Sequence, residues 1–213
     1  MLPFEIPAGT TLAKLVEEVV PVAHARLVPA SAGREKFTCA FELEGESGNG
    51  KRWIVDLDGQ TMKVRAGEER APDARIRAKA VDAQAFLDDW TGPQKLVPKQ
   101  PGRTEVVLMS DPRLLKRIKM VTGAIELAIR DFSDGSGSAR RVWIAIAVGE
   151  PAKKDDPKPD VVIETSMKTY LRLLDGGMGP EDALADGDVA VQGKRLVAMQ
   201  FAFAVAPLFP PIK

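Results

Sequence analysis

Cysteine and histidine are almost absent from this chain of 213 residues, which holds one of each, Cys39 and His24. A single cysteine cannot form an intrachain disulfide, and the pair cannot supply the four ligands of a structural zinc site. Cys39 stands in the alternating run FTCAFELEG, which predicts a small buried residue. His24 stands near the end of the first predicted helix, where we expect it to cap the helix or to be exposed. Disulfide-rich and cysteine–histidine metal folds are therefore excluded.

An excess of charge of either sign is also lacking, because 30 basic and 30 acidic side chains balance. Nucleic-acid-binding proteins usually carry a basic excess or stripe, so we expect no nucleic-acid partner. No apolar run reaches the roughly 18 residues that a membrane-spanning helix needs. The start, MLPFEIPAGTT, lacks the basic and apolar regions of a secretory signal. We expect a cytoplasmic protein without a transmembrane segment.

Recognisable catalytic motifs are missing as well. The chain has no G-x-S-x-G element, and GTTLAK lacks the spacing of a phosphate-binding loop. Asp88 and Asp89 are adjacent on a predicted helix, where neighbouring side chains diverge. DLDG fits a hairpin turn better than a calcium loop. We predict that the protein is not an enzyme and uses neither a cofactor nor a metal, and an enzyme acting on a hydrophobic substrate is the least favoured hypothesis.

What the sequence does contain is a regular succession of helix and strand patterns. Apolar residues between Leu12 and Val20 recur at helical spacing, which predicts an amphipathic helix. Four alternating segments separated by glycine-rich turns then predict an antiparallel meander with one buried face; they are KFTCAFELEG, KRWIVDLDG, TMKVRAG and ARIRAKAV. A helix over residues 82–90, a strand TEVVLMS and a helix that starts at Pro112 complete the first part.

The order of these patterns recurs later in the chain. CAFELEGESGNGKRWIVDLDG resembles LAIRDFSDGSGSARRVWIAIAVG, and this pairing aligns Trp53 with Trp143 at an offset of 90 residues. The pair Pro72-Asp73 corresponds to Pro159-Asp160 at an offset of 87. We therefore predict that Trp53 and Trp143 occupy equivalent positions on equivalent strands.

The recurrence continues into the helices. DAQAFLDDWTG corresponds to SMKTYLRLLDG at an offset of 84, with Asp82 and Ser166 in the capping positions. We interpret the chain as an internal duplication, with one unit over residues 1–125 and a shortened second unit over residues 126–213. Chance repetition of strand and helix patterns remains the alternative, because literal identity between the two parts is low.

The last predicted helix, over residues 195–206, is apolar around nearly its whole circumference. An ordinary surface helix keeps a polar side. Leu196, Met199 and Phe203 share one side, and Phe201 points roughly the opposite way. We expect Phe203 to face the core and Phe201 to face a cavity. Two partners for the second apolar side stay open, a lipid cavity and the other unit.

This order of elements resembles the sterol carrier protein type 2 family. The resemblance rests on a strand, a helix ending in glycine, an Ala-Leu pair, a short strand and an apolar last helix, which are Val161–Ile163, Met167–Leu174, Gly176-Gly177, Ala183-Leu184, Asp188–Val191 and Leu196–Val205. The stretch from Phe37 to about Val121 resembles the family's core too. The tandem arrangement departs from the single-domain members of the family.

The resemblance implies an α+β fold: a curved, mostly antiparallel sheet of five strands covered by helices, here as two fused copies. It also implies an apolar cavity between the sheet and the helices. The candidate cavity-lining residues are Phe86, Trp90, Met167, Leu171, Met199, Phe201 and Phe203. The ligands implied are sterols, fatty acyl chains, phospholipids or isoprenoid quinones.

We therefore predict non-catalytic binding and carriage of a hydrophobic ligand. The alternative is an interaction, dimerisation or accessory module of a larger enzyme system, with the cavity filled by protein. The expected partner is a lipid or another hydrophobic small molecule. A transient membrane contact, a protein partner and a homodimer stay open.

Overall fold

The computed structural model of the chain describes residues 6, 9–27, 35–45, 50–58, 61–67, 72–91, 112–132, 139–146, 158–175 and 177–206. Within these ranges, the side chains at positions 27, 89–91, 143–146, 174 and 175 lie outside the description. The predicted strand TEVVLMS and most of the segment EPAKKDDPKPD fall outside it too.

Eight strands and seven helices are described. The strands are β1 Lys36–Glu44, β2 Lys51–Asp58, β3 Thr61–Ala66, β4 Ala74–Lys79, β5 Gly123–Arg130, β6 Arg140–Ile146, β7 Val161–Ser166 and β8 Val189–Gly193. The helices are α1 Leu12–Lys14, α2 Val20–Leu27, α3 Ala80–Thr91, α4 Pro112–Ile118, α5 Met167–Asp175, α6 Pro180–Ala185 and α7 Arg195–Val205. A π-helical segment, Leu15–Val19, joins α1 to α2.

All eight strands belong to one sheet in the order β3-β2-β1-β4-β6-β5-β7-β8. Neighbouring strands are antiparallel except for the pairs β1–β4 and β5–β7, which are parallel. The predicted α+β class with a mostly antiparallel sheet is confirmed. One expectation is wrong: β4 leaves the meander, because it pairs in parallel with the free edge of β1. The five strands expected for each copy stay a prediction, because TEVVLMS lies outside the described residues.

Each half of the sheet uses the same pairing scheme. A central strand, β1 or β5, pairs antiparallel with the next strand and parallel with a later strand that leads directly into a helix. In the first half Cys39 lies opposite Ala74, and in the second half Ile125 lies opposite Val161. The internal duplication nevertheless stays a prediction, because similar pairing does not establish common origin.

The predicted equivalence of the two tryptophans is wrong by one residue. Trp53 lies on β2 opposite Phe41, two residues after Cys39, whereas Trp143 lies on β6 opposite Glu126, one residue after Ile125. The strands correspond, but a shift of one residue moves a side chain to the other face of a sheet. The offset of 90 residues aligned the two tryptophans in the sequence, but the pairing register of their strands differs by one residue.

An aspartate locks the start of each central strand in the same way. The Thr38 N–H donates to Asp73 Oδ2 and the Asp73 N–H donates to the Thr38 carbonyl, both at 2.8 Å. The Ala124 N–H donates to Asp160 Oδ2 at 3.0 Å, and the Asp160 N–H donates to the Ala124 carbonyl at 2.7 Å. The two Pro-Asp pairs matched in the sequence thus occupy corresponding places.

The two faces of the sheet differ in character. On β1 the side chains of Phe37, Cys39 and Leu43 alternate onto one face, where they join apolar clusters with the helices. On the opposite face Glu42 lies between two arginines, with Arg75 Nη1 at 2.6 Å and Arg77 Nε at 3.2 Å. The first face is therefore apolar, whereas this part of the opposite face is charged, with Glu42 itself buried.

The first helical segment is tied to the packed face. The Trp53 indole N–H donates to Glu17 Oε1 at 2.7 Å, so the π-helical segment is fixed to β2. His24 is fully buried, and neither ring nitrogen has a hydrogen-bond partner. The expectation that His24 is exposed or caps the helix is therefore wrong, because the segment continues over β3.

The two helix starts aligned in the sequence also differ. Ser166 is a true cap, since its hydroxyl accepts from the Thr169 N–H at 3.1 Å. Asp82 is not a cap, because α3 begins at Ala80, and its carboxylate instead accepts from Arg140 Nη1 at 3.2 Å.

Candidate functional site

The largest apolar cluster lies between the sheet and the helices α4 and α7, and we call it the α4–α7 layer. Its buried members are Phe37, Cys39, Leu57, Ala74, Leu114, Leu115, Ile118, Val121, Ile125, Val161, Val197 and Ala204. None of these side chains is charged. The layer draws on strands from both halves of the sheet, so it is a single apolar interior.

The two helices contribute unequally to the α4–α7 layer. Helix α4 buries Leu114, Leu115 and Ile118, and each such side chain stabilises the fold by about 1.5–3 kcal/mol. Helix α7 buries only Val197 and Ala204. Helix α4 therefore packs against the sheet with more buried apolar surface than α7 does.

The inner side of α7 also carries Phe201, which is partly buried against the layer. Val197, Phe201 and Ala204 have the i, i+4, i+7 spacing of one helix side. Phe203, expected in the core, is 62% exposed. The expected core position of Phe203 is therefore wrong, because Val197 and not Leu196 faces the sheet, whereas the expectation that Phe201 faces a cavity stays a prediction.

The outer side of α7 is an exposed apolar ridge, which we call the α7 ridge. It consists of Leu196, Met199 and Phe203, with exposed fractions of 68%, 60% and 62%. The guanidinium carbon of Arg117, on α4, lies 4.8 Å from the centroid of the Phe203 ring. The α7 ridge thus points away from the sheet, and Phe203 in it contacts Arg117 of α4.

Three candidate residues meet in a second cluster, the α3–α5 cluster, between those helices and β5. Met167 and Leu171 are buried there, and Phe86 packs partly buried against them. The Phe86 ring lies 5.4 Å from that of Tyr170 and 6.4 Å from that of Phe132, both edge to face. The Trp90 side chain lies outside the described residues.

The two clusters are continuous along β5. Ile125 belongs to the α4–α7 layer, whereas Leu127 and Ile129 belong to the α3–α5 cluster. Alternate residues of a strand point to one face and advance about 3.3 Å per residue. These three side chains therefore form an apolar track about 13 Å long, which we call the β5 track.

Asp160 fixes the point where α7 leaves the sheet. Lys194 Nζ lies 2.6 Å from Asp160 Oδ1, and the Lys194 N–H donates to the Asp160 carbonyl at 2.8 Å. The hydrogen bond from Lys194, the one from the Ala124 N–H and the lysine charge lower the pKa of Asp160, although burial opposes them. Gly193 has φ +111°, and a Cβ there would collide with the Asp160 carbonyl.

Two other titratable groups lie in apolar surroundings. Burial lowers the pKa of His24. Burial, followed by the charge of Asp73, raises the pKa of the Cys39 thiol to about 12. The prediction that Cys39 is a small buried residue is confirmed. Neither group adjoins a second histidine or cysteine, because the chain has only one of each.

The described part of the chain holds neither a set of metal ligands nor a membrane-spanning helix. No three histidine, cysteine, aspartate or glutamate side chains there come together as a metal site would require. No helix in that part is both long and apolar enough to cross a membrane.

Sequence reasoning missed Phe132, Tyr170 and Asp160 as parts of this region. The repeated Pro-Asp pair drew attention to Asp160, but the sequence alone could not predict the hydrogen bonds that Asp160 makes with Ala124. Phe132 and Tyr170 come together only because β5 and β7 pair in parallel, with α5 following directly.

A profile of the SCP-2 sterol transfer family matches residues 105–205. The chain contains a domain of that family. The SCP-2 domain includes α4, β5 to β8 and α5 to α7, and therefore both helices of the α4–α7 layer. Members of this family bind and transfer lipids. No curated protein sequence matches the chain.

Several solved structures are similar to the chain. Sterol carrier protein domain 2 of Helicoverpa armigera is 22% identical at a TM-score of 0.35, covering 43% of this chain and 72% of that one. Sterol carrier protein 2 from Yarrowia lipolytica is 11% identical at a TM-score of 0.34, covering 62% and 91%. SCP2-L2 from Aedes aegypti is 12% identical at a TM-score of 0.22, covering 90% and 94%.

Proposed function

We propose that this protein binds a long apolar molecule of the sterol, fatty acyl, phospholipid or isoprenoid-quinone type and carries it without chemical change. The single observation that supports this proposal most strongly is the α4–α7 layer, an uncharged interior covered by two helices of the SCP-2 domain. One of its two covering helices is held only by small side chains and one phenylalanine.

We place the ligand along the β5 track, under α7. Ile125 lies at one end of the track and Ile129, beside Phe86, at the other. A ligand that displaces α7 loses few native contacts, since this helix buries only Val197 and Ala204. The ligand's own apolar surface would offset that loss at about 25 cal/mol per Å².

Four of the seven candidate residues would contact the ligand in this proposal, and two would not. Phe201 would touch the ligand at the α7 end, and Phe86, Met167 and Leu171 would touch it at the other end. Met199 and Phe203, on the outer side of α7, would not line the site.

Uptake of fatty acids of increasing chain length tests the placement. Leu127 lies mid-track, so Leu127→Phe should shorten the longest chain that the protein accepts. Val64→Phe is the matched control, because Val64 packs partly buried in a different cluster. Either substitution should cost about 1–3 kcal/mol by overpacking, so uptake is compared per folded molecule. Equal length profiles for both variants would contradict the placement.

The alternative function is an accessory module whose interior is filled by its own side chains. The exposed α7 ridge favours this candidate, since an apolar surface of this kind is typical of a binding face. Two results together would support the accessory-module function. The wild-type protein would take up no fatty acid or sterol, and it would associate stably with another protein through the α7 ridge.

The two-unit organisation is also a proposal, with one change. A boundary at residue 125 falls inside β5, so we place it upstream of α4, near the start of the family match at residue 105. Helix α4 then leads the second unit as the α1–α2 segment leads the first. An experimental structure in which Asp73 and Asp160 fail to superpose when β1 is fitted on β5 would contradict it. The cytoplasmic location likewise stays a prediction.

A further inference from the structure

The β5 track ends at an ion pair. Arg140, on β6, lies directly opposite Ile129, the last residue of the track. Residues that face each other across two antiparallel strands point to the same side of the sheet, so the Arg140 side chain lies on the packed face. Its Nη1 lies 3.2 Å from Asp82 Oδ1, and the two side chains are 14% and 15% exposed. A charged pair therefore adjoins one end of an apolar track.

The backbone after β5 brings an aromatic ring to this pair. Asp131 has φ +61°, a left-handed conformation that interrupts the alternation of a strand. Phe132 consequently joins Ile129 in the α3–α5 cluster, where it is buried. The guanidinium carbon of Arg140 lies 5.2 Å from the centroid of the Phe132 ring. A cation over an aromatic face is attracted to the ring, so Phe132 holds the guanidinium beside the cluster.

Asp82 approaches the same place from α3. It precedes Phe86 by four residues, so the two side chains share one side of the helix, and Phe86 packs against the α3–α5 cluster. Within the described part of the chain, the Asp82 carboxylate bonds to Arg140 alone, through Oδ1. A carboxylate has about four acceptor sites on its two oxygens. Oδ2 of Asp82 can therefore accept another hydrogen bond.

The ion pair at the other end of the track differs in both respects. Asp160 uses both of its oxygens, Oδ1 for Lys194 and Oδ2 for the Ala124 N–H. The Asp160 and Lys194 side chains are also more exposed than Asp82 and Arg140. Of the two carboxylates beside the track, Asp82 is thus the more buried and has the more available oxygen.

We propose that Asp82, balanced by Arg140, accepts a hydrogen bond from a hydroxyl group at the head of the ligand, so that the protein selects long-chain alcohols over carboxylic acids. This inference rests on the carriage proposed above. A hydroxyl group donates a hydrogen bond, whereas an ionised carboxylic acid only accepts. A fatty carboxylate would also meet the like charge of Asp82, and charges repel more strongly in a partly buried place than in water.

Competition among three ligands of equal chain length tests this selection. Delipidated wild-type protein is incubated at neutral pH with equal amounts of dodecanol, dodecyl methyl ether and dodecanoate, and the bound lipid is extracted and quantified by mass spectrometry. The head of dodecanol donates a hydrogen bond, that of the ether does not, and dodecanoate is an anion. We expect about tenfold more bound dodecanol than either competitor, because a hydrogen bond to a charged group contributes at least that factor.

Asp82→Asn should change the selection without changing the apolar track. The amide has nearly the shape of the carboxylate, but it removes the negative charge that repels dodecanoate, while the charge of Arg140 remains. The ratio of bound dodecanol to bound dodecanoate should therefore fall about tenfold.

Glu126→Gln is the matched control. The Glu126 side chain is also 15% exposed and pairs with the neighbouring arginine, Arg141, at 2.7 Å. It lies on β5 between Ile125 and Leu127, so it points to the other face of the sheet. The control should keep the wild-type ratios, even where the loss of an ion pair lowers stability and total bound lipid.

The outcomes separate this inference from carriage itself. Equal binding of the three ligands by the wild type, or a preference for dodecanoate, would overturn the inference and leave carriage intact; the pair would then only tie α3 to β6. Binding of none of the three would contradict carriage and the inference with it. An unchanged ratio in Asp82→Asn, or an equal fall in Glu126→Gln, would overturn the inference as well. Should Asp82→Asn fail to fold, the wild-type ratios alone decide.

Discussion

The two phenylalanines of α7 give a matched pair of substitutions two residues apart. Phe201 is partly buried against the α4–α7 layer, and Phe203 is 62% exposed. Emptying a fully buried phenylalanine site costs about 3–5 kcal/mol, so the partly buried Phe201 should cost about 2–3 kcal/mol on replacement by alanine. Phe203→Ala loses its contact with Arg117, which is worth about 0.5–1 kcal/mol at an exposed site.

Thermal unfolding separates the two variants. For a chain of this length 1 kcal/mol shifts Tm by about 2–4 °C, so Phe201→Ala should lower Tm by about 4–12 °C. Phe203→Ala should lower it by less than about 4 °C. Phe201→Ala should also change fatty-acid uptake per folded molecule, and Phe203→Ala should not. Equal large losses of Tm for both variants, with unchanged uptake, would show that α7 is buried on both sides and that no ligand reaches it.

Three titratable groups give further predictions. Asp160→Asn should cost about 1–2 kcal/mol in urea unfolding at neutral pH; because the folded pKa of Asp160 is lowered, its contribution is fully present above the unfolded pKa of about 3.9 and is lost as pH falls through the folded value, and a constant difference down to low pH would contradict this. His24 has a lowered folded pKa, so wild-type stability should fall as pH drops below about 6.5; His24→Phe should remove that fall between neutral and mildly acidic pH, and an unchanged profile would refute it. Cys39 is buried with its pKa raised to about 12, so Ellman's reagent should label it only after unfolding, and rapid labelling of native protein would be the contrary result.

Much of the fold could be predicted from the sequence because local patterns determine it. Alternation over KFTCAFELEG and VVIETS indicated strands, and both are strands, β1 and β7. The strand-to-helix transition at Ser166 was predicted because a serine cap leaves a local mark. Patterns of this kind need only near neighbours in the chain.

The arrangement of the sheet could not be predicted in the same way. Nothing local marks the pairing of β4 with β6, which joins the two halves into one sheet. The register error at Trp143 has the same cause, because register depends on the partner strand and not on the letters alone.

The site itself stays a proposal, but the packing of some candidate residues against one another could be predicted. Phe86, Met167 and Leu171 were chosen for their helical stripe, and they do lie together. The orientation of α7 was wrong, because an almost wholly apolar helix has no polar side from which its outward side could be read. The contact between Val197 and the backbone at Gly123, where a Cβ would lie 3.0 Å from Cγ1, fixed that orientation through tertiary packing.

The central claim is that the interior under α7 holds a long apolar molecule. Native mass spectrometry of protein purified without detergent, before and after organic extraction, tests it most directly. We expect a species heavier than the chain by the mass of one lipid, which extraction removes and incubation with a fatty acid or sterol restores. The claim would be contradicted if the protein had only the mass of the chain before extraction and gained no adduct after incubation with either class of lipid.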